Sequence, residues 1–216
     1  MRQLERALDG ELPGVAAQVQ MASHPGRSLP SPSDRPRQSA VLALLHRASR
    51  ELELVFTLRP PSLRHHGGQI SFPGGGMEPQ DATLKATALR ETAEELGIST
   101  QQVEILGELS PLFIAHSDNL VHPFVGWVPD LPPLNPDPVE VSSVISIPVR
   151  VLLDPQTVDV YRWRRNGQML TAPCYRVNGT SIWGATAMIL NELLELIRGL
   201  GRQDQRPSST SRPVRS

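Results

Sequence analysis

Three glutamates on one predicted helix, Glu91, Glu94 and Glu95, form the acidic cluster of this chain that is best placed for metal chemistry. Their spacings of three and four residues make them neighbours on a helix surface, where each like-charge contact is unfavourable by roughly 0.2–0.5 kcal/mol. A divalent cation would reverse that sign, because Mg²⁺ takes oxygen ligands from a few carboxylates and from substrate phosphates. A solvated acidic face is the alternative interpretation of the same pattern.

A run of glycines stands directly before this helix, in the sequence SFPGGGMEPQD at residues 71–81. Glycine permits positive φ and has no Cβ, so the backbone of Gly74 and Gly75 can come close to a phosphate. Pro73 restrains the chain just before this permissive run. An ordinary glycine turn is the alternative, but its position beside the glutamates favours a site that binds phosphate and metal together.

The acidic helix is predicted over residues 82–96, with Asp81 as its N-cap and Gly97 as its stop. At 100° per residue its apolar side chains fall on one side, and the three glutamates fall on the opposite side. The apolar residues are Ala86, Leu89, Ala93 and Leu96. The pattern therefore predicts that the apolar face packs against the core and that the acidic face points outward.

The remaining elements predict an α/β fold with a mixed sheet covered by helices. Apolar residues at helical spacing indicate one or two short helices within residues 1–20 and a C-terminal helix over residues 184–200. Seven segments are strand-like, and the first two are expected to form a hairpin. These segments are residues 40–46, 52–58, 103–109, 120–128, 141–149, 158–164 and 169–177.

Length and composition indicate one main domain, since 216 residues with 39% hydrophobic content suffice for one core. We expect the domain over residues 39–200, after a helical segment and a Pro/Ser-rich connector in residues 1–38, with a disordered tail over residues 201–216. A net charge of -1 gives no general attraction for nucleic acid or an anionic membrane. The single cysteine, Cys174, and the lack of a long apolar run favour the cytoplasm, with an organellar presequence as the alternative.

The glycine run and the acidic helix together resemble the signature of the Nudix hydrolases, in which a glycine and a glutamate precede an Arg-Glu…Glu-Glu…Gly segment. RETAEELGI matches the second half of that signature at Arg90, Glu91, Glu94, Glu95, Gly97 and Ile98. Thr92 stands at a position that is usually apolar. Ala82 stands where the first glutamate is expected, with Asp81 one place earlier.

The preceding sequence TLRPPSLRHHGGQISFPGG is similar to the motif of the coenzyme A pyrophosphatase branch of that family. It matches the motif at Thr57, Arg59, Arg64, Gly68, Phe72, Pro73, Gly74 and Gly75. Pro60 replaces a residue that is usually small. The resemblance implies an α/β/α sandwich and an enzyme that uses Mg²⁺ or Mn²⁺. The implied reaction is hydrolysis of the diphosphate of coenzyme A or acyl-coenzyme A to 3′,5′-ADP and 4′-phosphopantetheine or its acyl form.

The resemblance also implies roles for individual residues. Glu91, Glu94 and Glu95 would be the metal ligands, and Arg90 would orient the helix. Glu140, in the loop before the fifth strand-like segment, is the candidate general base. The implied substrate-binding residues are Arg59 and Arg64, for the additional phosphates of coenzyme A, together with Gly68, Phe72, Gly74 and Gly75.

Two alternatives to a coenzyme A hydrolase remain open. The same residues could act on another nucleoside diphosphate derivative such as ADP-ribose or NADH, or the fold could bind a ligand without turnover. Intact glutamates disfavour the binding module, and Arg59 with Arg64 favours coenzyme A. A small molecule is the expected partner in each case, and whether the chain forms a homodimer stays open.

The histidines offer no stronger site. His65 and His66 are adjacent, so on an extended segment they point to opposite faces and cannot both bind one ion. His116, Ser117 and Asp118 are consecutive, which is no evidence for a catalytic triad, and they are predicted to form a loop.

Overall fold

A split β-sheet with helices on both faces forms the centre of the structure from residue 37 onward. The computed structural model describes residues 1–23, 31–61, 68–165 and 167–204. The strands are β1 (Arg37–Ala48), β2 (Glu51–Leu58), β3 (Ile70–Ser71), β4 (Gly74–Gly76), β5 (Glu104–Glu108), β6 (Leu112–Ile114), β7 (Asn119–Val128), β8 (Ser143–Pro148), β9 (Val158–Arg165), β10 (Gln168–Val177) and β11 (Thr180–Trp183). The helices are α1 (Arg2–Leu8), α2 (Gly14–Gln18), α3 (Leu84–Leu96), α4 (Val149–Leu152) and α5 (Gly184–Asp204).

The main sheet is mixed, as predicted, because β1 lies parallel to β7 while its other partners are antiparallel. The predicted hairpin is confirmed: the C-terminal half of β1 pairs with β2, with Leu45 opposite Leu54. The N-terminal half of β1 pairs instead with the glycine strand β4, with Val41 opposite Gly74. Since β2 and β4 pair with different halves of β1, the sheet divides, and β2 continues with β3 and β8.

Alternation along β1 places the two helical layers. Ala40, Leu42 and Leu44 face the cluster that contains α3 residues, whereas Ala43 and Leu45 face the cluster that contains α5 residues. All five side chains are fully buried. A strand buried on both faces requires a helix on each side, so the predicted α/β/α sandwich is confirmed.

The N-terminal segment forms two short helices, as predicted, and both pack on the domain through α5. Leu8 lies so close to Gly107 of β5 that a Cβ there would be 2.6 Å from the leucine Cβ. The buried carboxylate of Glu192 accepts from the backbone N–H of Gly14 (3.2 Å) and from the amide of Gln18 (2.9 Å). This segment therefore shares the core with the domain that follows it.

A second, three-stranded sheet is formed by β9, β10 and β11 and leads into α5. All seven predicted strands are present, whereas the short strands β3, β4, β6 and β11 were not predicted. Helix α5 continues to Asp204, so the predicted tail is wrong for residues 201–204, and residues 205–216 lie outside the described residues. Within the described ranges, no helix combines the length and apolar character needed to cross a membrane.

Candidate active site

Gly74 and Gly75 let a strand lie against both the sheet and the acidic helix. Gly74 has a φ of +149°, and a Cβ there would be 2.3 Å from the carbonyl oxygen of Ala40. A Cβ on Gly75 would be 2.5 Å from the carboxylate of Glu91. Gly76 has open space around its Cβ position. Gly74 thus allows the close approach of the sheet, and Gly75 allows the close approach of the Glu91 carboxylate.

Helix α3 begins later than predicted. Its N-cap is Thr83, whose side chain accepts from the N–H of Ala86 (3.1 Å), so the assignment of Asp81 as N-cap is wrong. The predicted stop is confirmed, because Gly97 adopts the left-handed conformation with φ 72°. Ala82 and the N-cap Thr83 therefore lie outside the helix, which begins at Leu84.

The acidic face of α3 does not point uniformly outward, which corrects the sequence prediction. The Glu95 side chain is 3% exposed and that of Glu91 is 14% exposed, whereas that of Glu94 is 60% exposed. The buried residues of α3 are Thr87, Ala88, Thr92, Glu95 and Leu96. The helix packs against β1 and β4, and the stripe that faces them includes Glu95.

Glu95 is a buried carboxylate with incomplete pairing. Its Oε1 lies 3.9 Å from Nη1 of Arg59, and its Oε2 has no hydrogen-bond partner among the described residues. Burial raises the pKa of Glu95 to about 8, against the opposing effects of the Arg59 charge and of a hydrogen bond from the Gly74 N–H. The charges of Glu140 and Glu91 raise this pKa further.

Glu91 and Glu140 extend the cluster around Glu95. Burial raises the pKa of Glu91, Arg90 opposes that rise, and the charges of Glu94 and Glu140 add to it. Glu140 is exposed, in the turn before β8, and its charge acts on both buried glutamates. The structure therefore brings Glu91 and Glu95 of α3 into the electrostatic range of Arg59 and Glu140, which come from two other segments.

Asp81 ties the glycine loop to the helix, which sequence reasoning missed. It accepts from Arg90 Nε (3.0 Å), Arg90 Nη2 (2.9 Å), Thr87 Oγ1 (3.0 Å) and the N–H of Glu78 (2.9 Å). The hydrogen bonds from Arg90 hold the pKa of Asp81 far below its usual range. The signal in the sequence was an acid one place before Ala82, where the family signature expects glutamate.

Arg90 forms ion pairs and hydrogen bonds with both this loop and the glutamates. Beyond Asp81 it contacts Glu91 Oε1 (3.1 Å) and Glu94 Oε2 (2.9 Å), and it donates to the carbonyl of Gly76 (3.0 Å). Arg90 is thus held by groups on both sides of the site. That Arg90 orients the helix stays a prediction.

The chemistry of these carboxylates fits a divalent metal ion. In the described part of the chain no three His, Cys, Asp or Glu side chains are close enough to hold an ion as they stand, and Arg59 and Arg90 pair with the glutamates. Glu95 nevertheless has a buried oxygen that no described residue hydrogen-bonds, and it lies one helical turn from Glu91, whose carboxylate lies against the glycine strand. Carboxylate oxygens are the ligands that Mg²⁺ and Mn²⁺ prefer.

A cleft of about 220 Å³ opens between the glycine strand and the first turns of α5. Its apolar lining includes Val41, Ile114 and Ile189, and its polar lining includes Arg37 and Asn119. Phe72 also lines it but is 3% exposed and stacks on Phe56 with ring centroids 5.0 Å apart. The side chain of Phe72 therefore belongs mainly to the core.

The other predicted site residues lie at the margin of the described structure. The N–H of Gly68 donates to the carbonyl of Arg59 (3.0 Å), and Gly68 has a φ of 72°, as expected for a turn glycine. Arg64, His65 and His66 lie outside the described residues. Ala115–Ser117 forms a short 3₁₀ turn before β7, which confirms the predicted loop there.

Comparison with models of protein families supports the family that these motifs indicated. A NUDIX domain model matches residues 36–166, which is more than half of the chain. The Nudix hydrolase NudL of Photorhabdus laumondii is 36% identical over 166 residues, covering 77% of this chain and 88% of the relative. The human mitochondrial coenzyme A diphosphatase NUDT8 is 34% identical over 166 residues, covering 76% of this chain and 70% of the relative.

Solved structures share the same fold. The NUDIX domain of Shewanella oneidensis NrtR, crystallised with ADP-ribose, aligns with a TM-score of 0.51 at 16% identity over 78% of this chain and 90% of that one. The MutT protein of Methanosarcina mazei aligns with a TM-score of 0.50 at 17% identity over 81% of this chain and 99% of that one. At these identities the likeness supports the fold alone.

Proposed function

Because this chain belongs to the Nudix hydrolase family, we propose that it cleaves the diphosphate of coenzyme A or acyl-coenzyme A with the help of a divalent metal ion. The proposed products are 3′,5′-ADP and 4′-phosphopantetheine or its acyl form. The observation that carries the proposal is the meeting of Glu91, Glu95 and Arg59 at the glycine strand. The motif from Thr57 to Gly75 and the similarity to a coenzyme A diphosphatase support the choice of substrate.

Glu91 and Glu95, with Glu94 at the exposed side, are the residues that would hold Mg²⁺ or Mn²⁺. When bound, such an ion supplies positive charge for the diphosphate oxygens and makes water more acidic. Glu95 Oε2 has no partner among the described residues, which supports this assignment, since a buried carboxylate oxygen without a partner is costly. Glu94 needs only to leave its ion pair with Arg90 to take part.

We propose that Arg59 binds the diphosphate itself, which differs from the role first expected for it. Its Nη1 lies 3.9 Å from Glu95, and its Nε is buried without a partner among the described residues. A guanidinium fork matches the oxygens of a phosphate, so a bound diphosphate would satisfy these donors. The additional phosphate of coenzyme A then requires another basic group.

Glu140 is the candidate base for the attacking water. Water adds to one phosphorus, Glu140 accepts its proton, and the bridging P–O bond breaks. A base in this role contributes typically about 10²–10⁴-fold to the rate. The exposure of Glu140 and the effect of its charge on Glu91 and Glu95 support this role over that of an ordinary loop carboxylate.

A substrate panel tests the proposal. The purified chain is incubated with Mg²⁺ or Mn²⁺ and with coenzyme A, an acyl-coenzyme A, ADP-ribose or NADH, and the products are separated by chromatography. We expect the largest kcat/KM with coenzyme A or its thioester and no turnover after chelation. The Glu95→Gln variant should lose activity, whereas Glu104→Gln, at an exposed strand position, should retain it.

Three other outcomes would each refute a different part of the proposal. A larger kcat/KM with ADP-ribose or NADH would assign the chain to another nucleoside diphosphate derivative. No turnover of any compound, combined with tight binding of one, would indicate a binding module. Full activity of Glu95→Gln would refute the proposed metal ligands.

A further inference from the structure

The loop before β8 closes the C-terminal end of α3 through its backbone. The N–H of Asn135 donates to the carbonyl of Leu96 (3.0 Å), and the N–H of Asp137 donates to the carbonyl of Glu95 (3.2 Å). The last carbonyls of a helix have no partner within the helix, so the loop supplies the donors that these two lack. Gly97 allows this approach, since a Cβ there would be 3.0 Å from the Cβ of Asn135.

Asp137 connects this contact to Glu140. Its carbonyl accepts from the N–H of Glu140 (3.1 Å) and from that of Val141 (2.8 Å), and its side-chain Oδ1 accepts from the N–H of Val139 (2.8 Å). Two hydrogen bonds in series therefore run from the backbone of Glu95, through Asp137, to the backbone of Glu140. The proposed metal ligand and the proposed base are thus linked by one residue.

Hydrogen bonds, more than packing, fix this turn. Residues 137–140 are exposed, and Val139 is 70% exposed, so burial of apolar side chains contributes little to its conformation. Of the seven residues 135–141, Pro136 and Pro138 have no N–H, which leaves five N–H groups. All five donate, at distances of 2.8–3.2 Å. The two prolines also reduce the conformational entropy that the loop loses on folding.

We propose that Asp137 is a positioning residue, which fixes Glu140 relative to Glu95 so that Glu140 can accept the proton of the attacking water. The inference rests on the proposed function, in which Glu140 is the base, and it adds a residue that acts through that base. The side-chain hydrogen bond of Asp137 is the part that a substitution can remove, because the other bonds of the turn belong to the backbone. Without it the turn gains freedom, and Glu140 is less often in the reactive position.

Asp137→Ala tests this role, and Asp137→Asn separates the hydrogen bond from the charge. Asparagine keeps a side-chain oxygen that accepts hydrogen bonds, so Asp137→Asn should keep most of the wild-type kcat. Asp137→Ala should lower kcat about tenfold with little change in KM, since the base acts in the chemical step. Affinity for Mn²⁺, measured by calorimetry, should not change, because the backbone bond to Glu95 remains.

A double-mutant cycle with Glu140→Gln distinguishes positioning of the base from a general loss of order. If Asp137 acts through Glu140, Asp137→Ala should lower kcat by less than about twofold in the Glu140→Gln background, whereas independent effects would give a further loss of about tenfold. Asp130→Ala is the matched control, since Asp130 is an exposed aspartate of the same loop that lies outside residues 135–141. It should have the wild-type kcat.

The proposal would be overturned by an unchanged kcat in Asp137→Ala, by an equal loss from Asp137→Ala in both backgrounds, by an equal loss from Asp137→Asn, or by a wild-type kcat in Glu140→Gln. The cycle uses the compound of the substrate panel with the largest kcat/KM, so a substrate other than coenzyme A would refute the proposed function alone.

Hydrogen exchange of the peptide over residues 135–142 gives a measurement that needs no turnover. Exchange should be about tenfold faster in Asp137→Ala than in the wild type, because a hydrogen bond that fixes the turn is lost. It should be unchanged in Asp137→Asn. This pattern would support the positioning of Glu140 even if coenzyme A is not hydrolysed, and equal rates in all three proteins would overturn it.

Discussion

Alanine substitution along the glycine strand should separate catalysis from stability within three consecutive residues. An alanine Cβ at position 75 would be 2.5 Å from the Glu91 carboxylate, where ordinary contacts are 3.4–4 Å. The obstructing atoms are the end of a flexible side chain, so Glu91 can yield by roughly 1 Å without moving the backbone. The fold should tolerate Gly75→Ala, and the site should not.

The expected loss of activity follows from that displacement. A misplacement of about 1 Å at a catalytic group costs on the order of 10²-fold in rate. We therefore expect kcat of Gly75→Ala to fall about 100-fold, with a thermal midpoint within a few degrees of the wild type. Affinity for Mn²⁺, measured by calorimetry without substrate, should fall as well.

The two neighbouring glycines supply the controls. At Gly74 an alanine Cβ would be 2.3 Å from the carbonyl of Ala40, and the φ of +149° is unfavourable for any L side chain. Backbone atoms cannot yield cheaply, so Gly74→Ala should lose about 2 kcal/mol or more of stability, a fall in Tm of about 4–8 °C. At Gly76 nothing lies within 4 Å, so Gly76→Ala should resemble the wild type in both assays.

Differential scanning calorimetry of the three variants measures the loss of stability, and steady-state kinetics measures the loss of activity. If Gly75→Ala kept full activity, the placement of Glu91 at the catalytic centre would be refuted. If it lost as much stability as Gly74→Ala, the idea that a flexible side chain absorbs the overlap would be wrong.

Three further predictions concern charge in the site. In chelator-treated protein the Glu95 contribution to the free energy of unfolding should fall as pH rises from about 4.5 to about 8. The reason is that the folded state keeps the Glu95 proton to a higher pH than the unfolded chain does. Urea titrations should show this fall in the wild type and not in Glu95→Gln. Glu140→Gln should lower kcat by about 10²-fold or more in steady-state assays, and an unchanged kcat would assign the base elsewhere. Asp81→Asn should weaken the ion pair with Arg90 and lower Mn²⁺ affinity or kcat by about 10–100-fold. Asp81→Glu should recover less than half of that loss if the ion pair depends on the short side chain. Full activity of Asp81→Asn would exclude a role for this ion pair in the site.

Residues close together in the chain could be assigned from the sequence. The glycine run, the three glutamates and Arg90 lie within a single loop and helix, and their spacing indicated phosphate and metal chemistry before any fold was known. The β1–β2 hairpin and the α5 helix were also predictable, because strand and helix periodicity are local properties. The short strand β4 was not, since three glycines carry no strand signal of their own.

Relations between distant segments required the tertiary structure. The spacing of residues on the helix does not predict that the Glu95 side chain is buried, because its burial depends on how the helix packs against the sheet. The approach of Arg59 and Glu140 to α3 depends on how β2 and β8 pair, and the use of Asp81 by Arg90 depends on the path of the loop between them. Residue types and local spacing thus identified the groups that can carry the chemistry. Burial and strand pairing select which of those groups meet, because both arise from contacts between residues far apart in the chain.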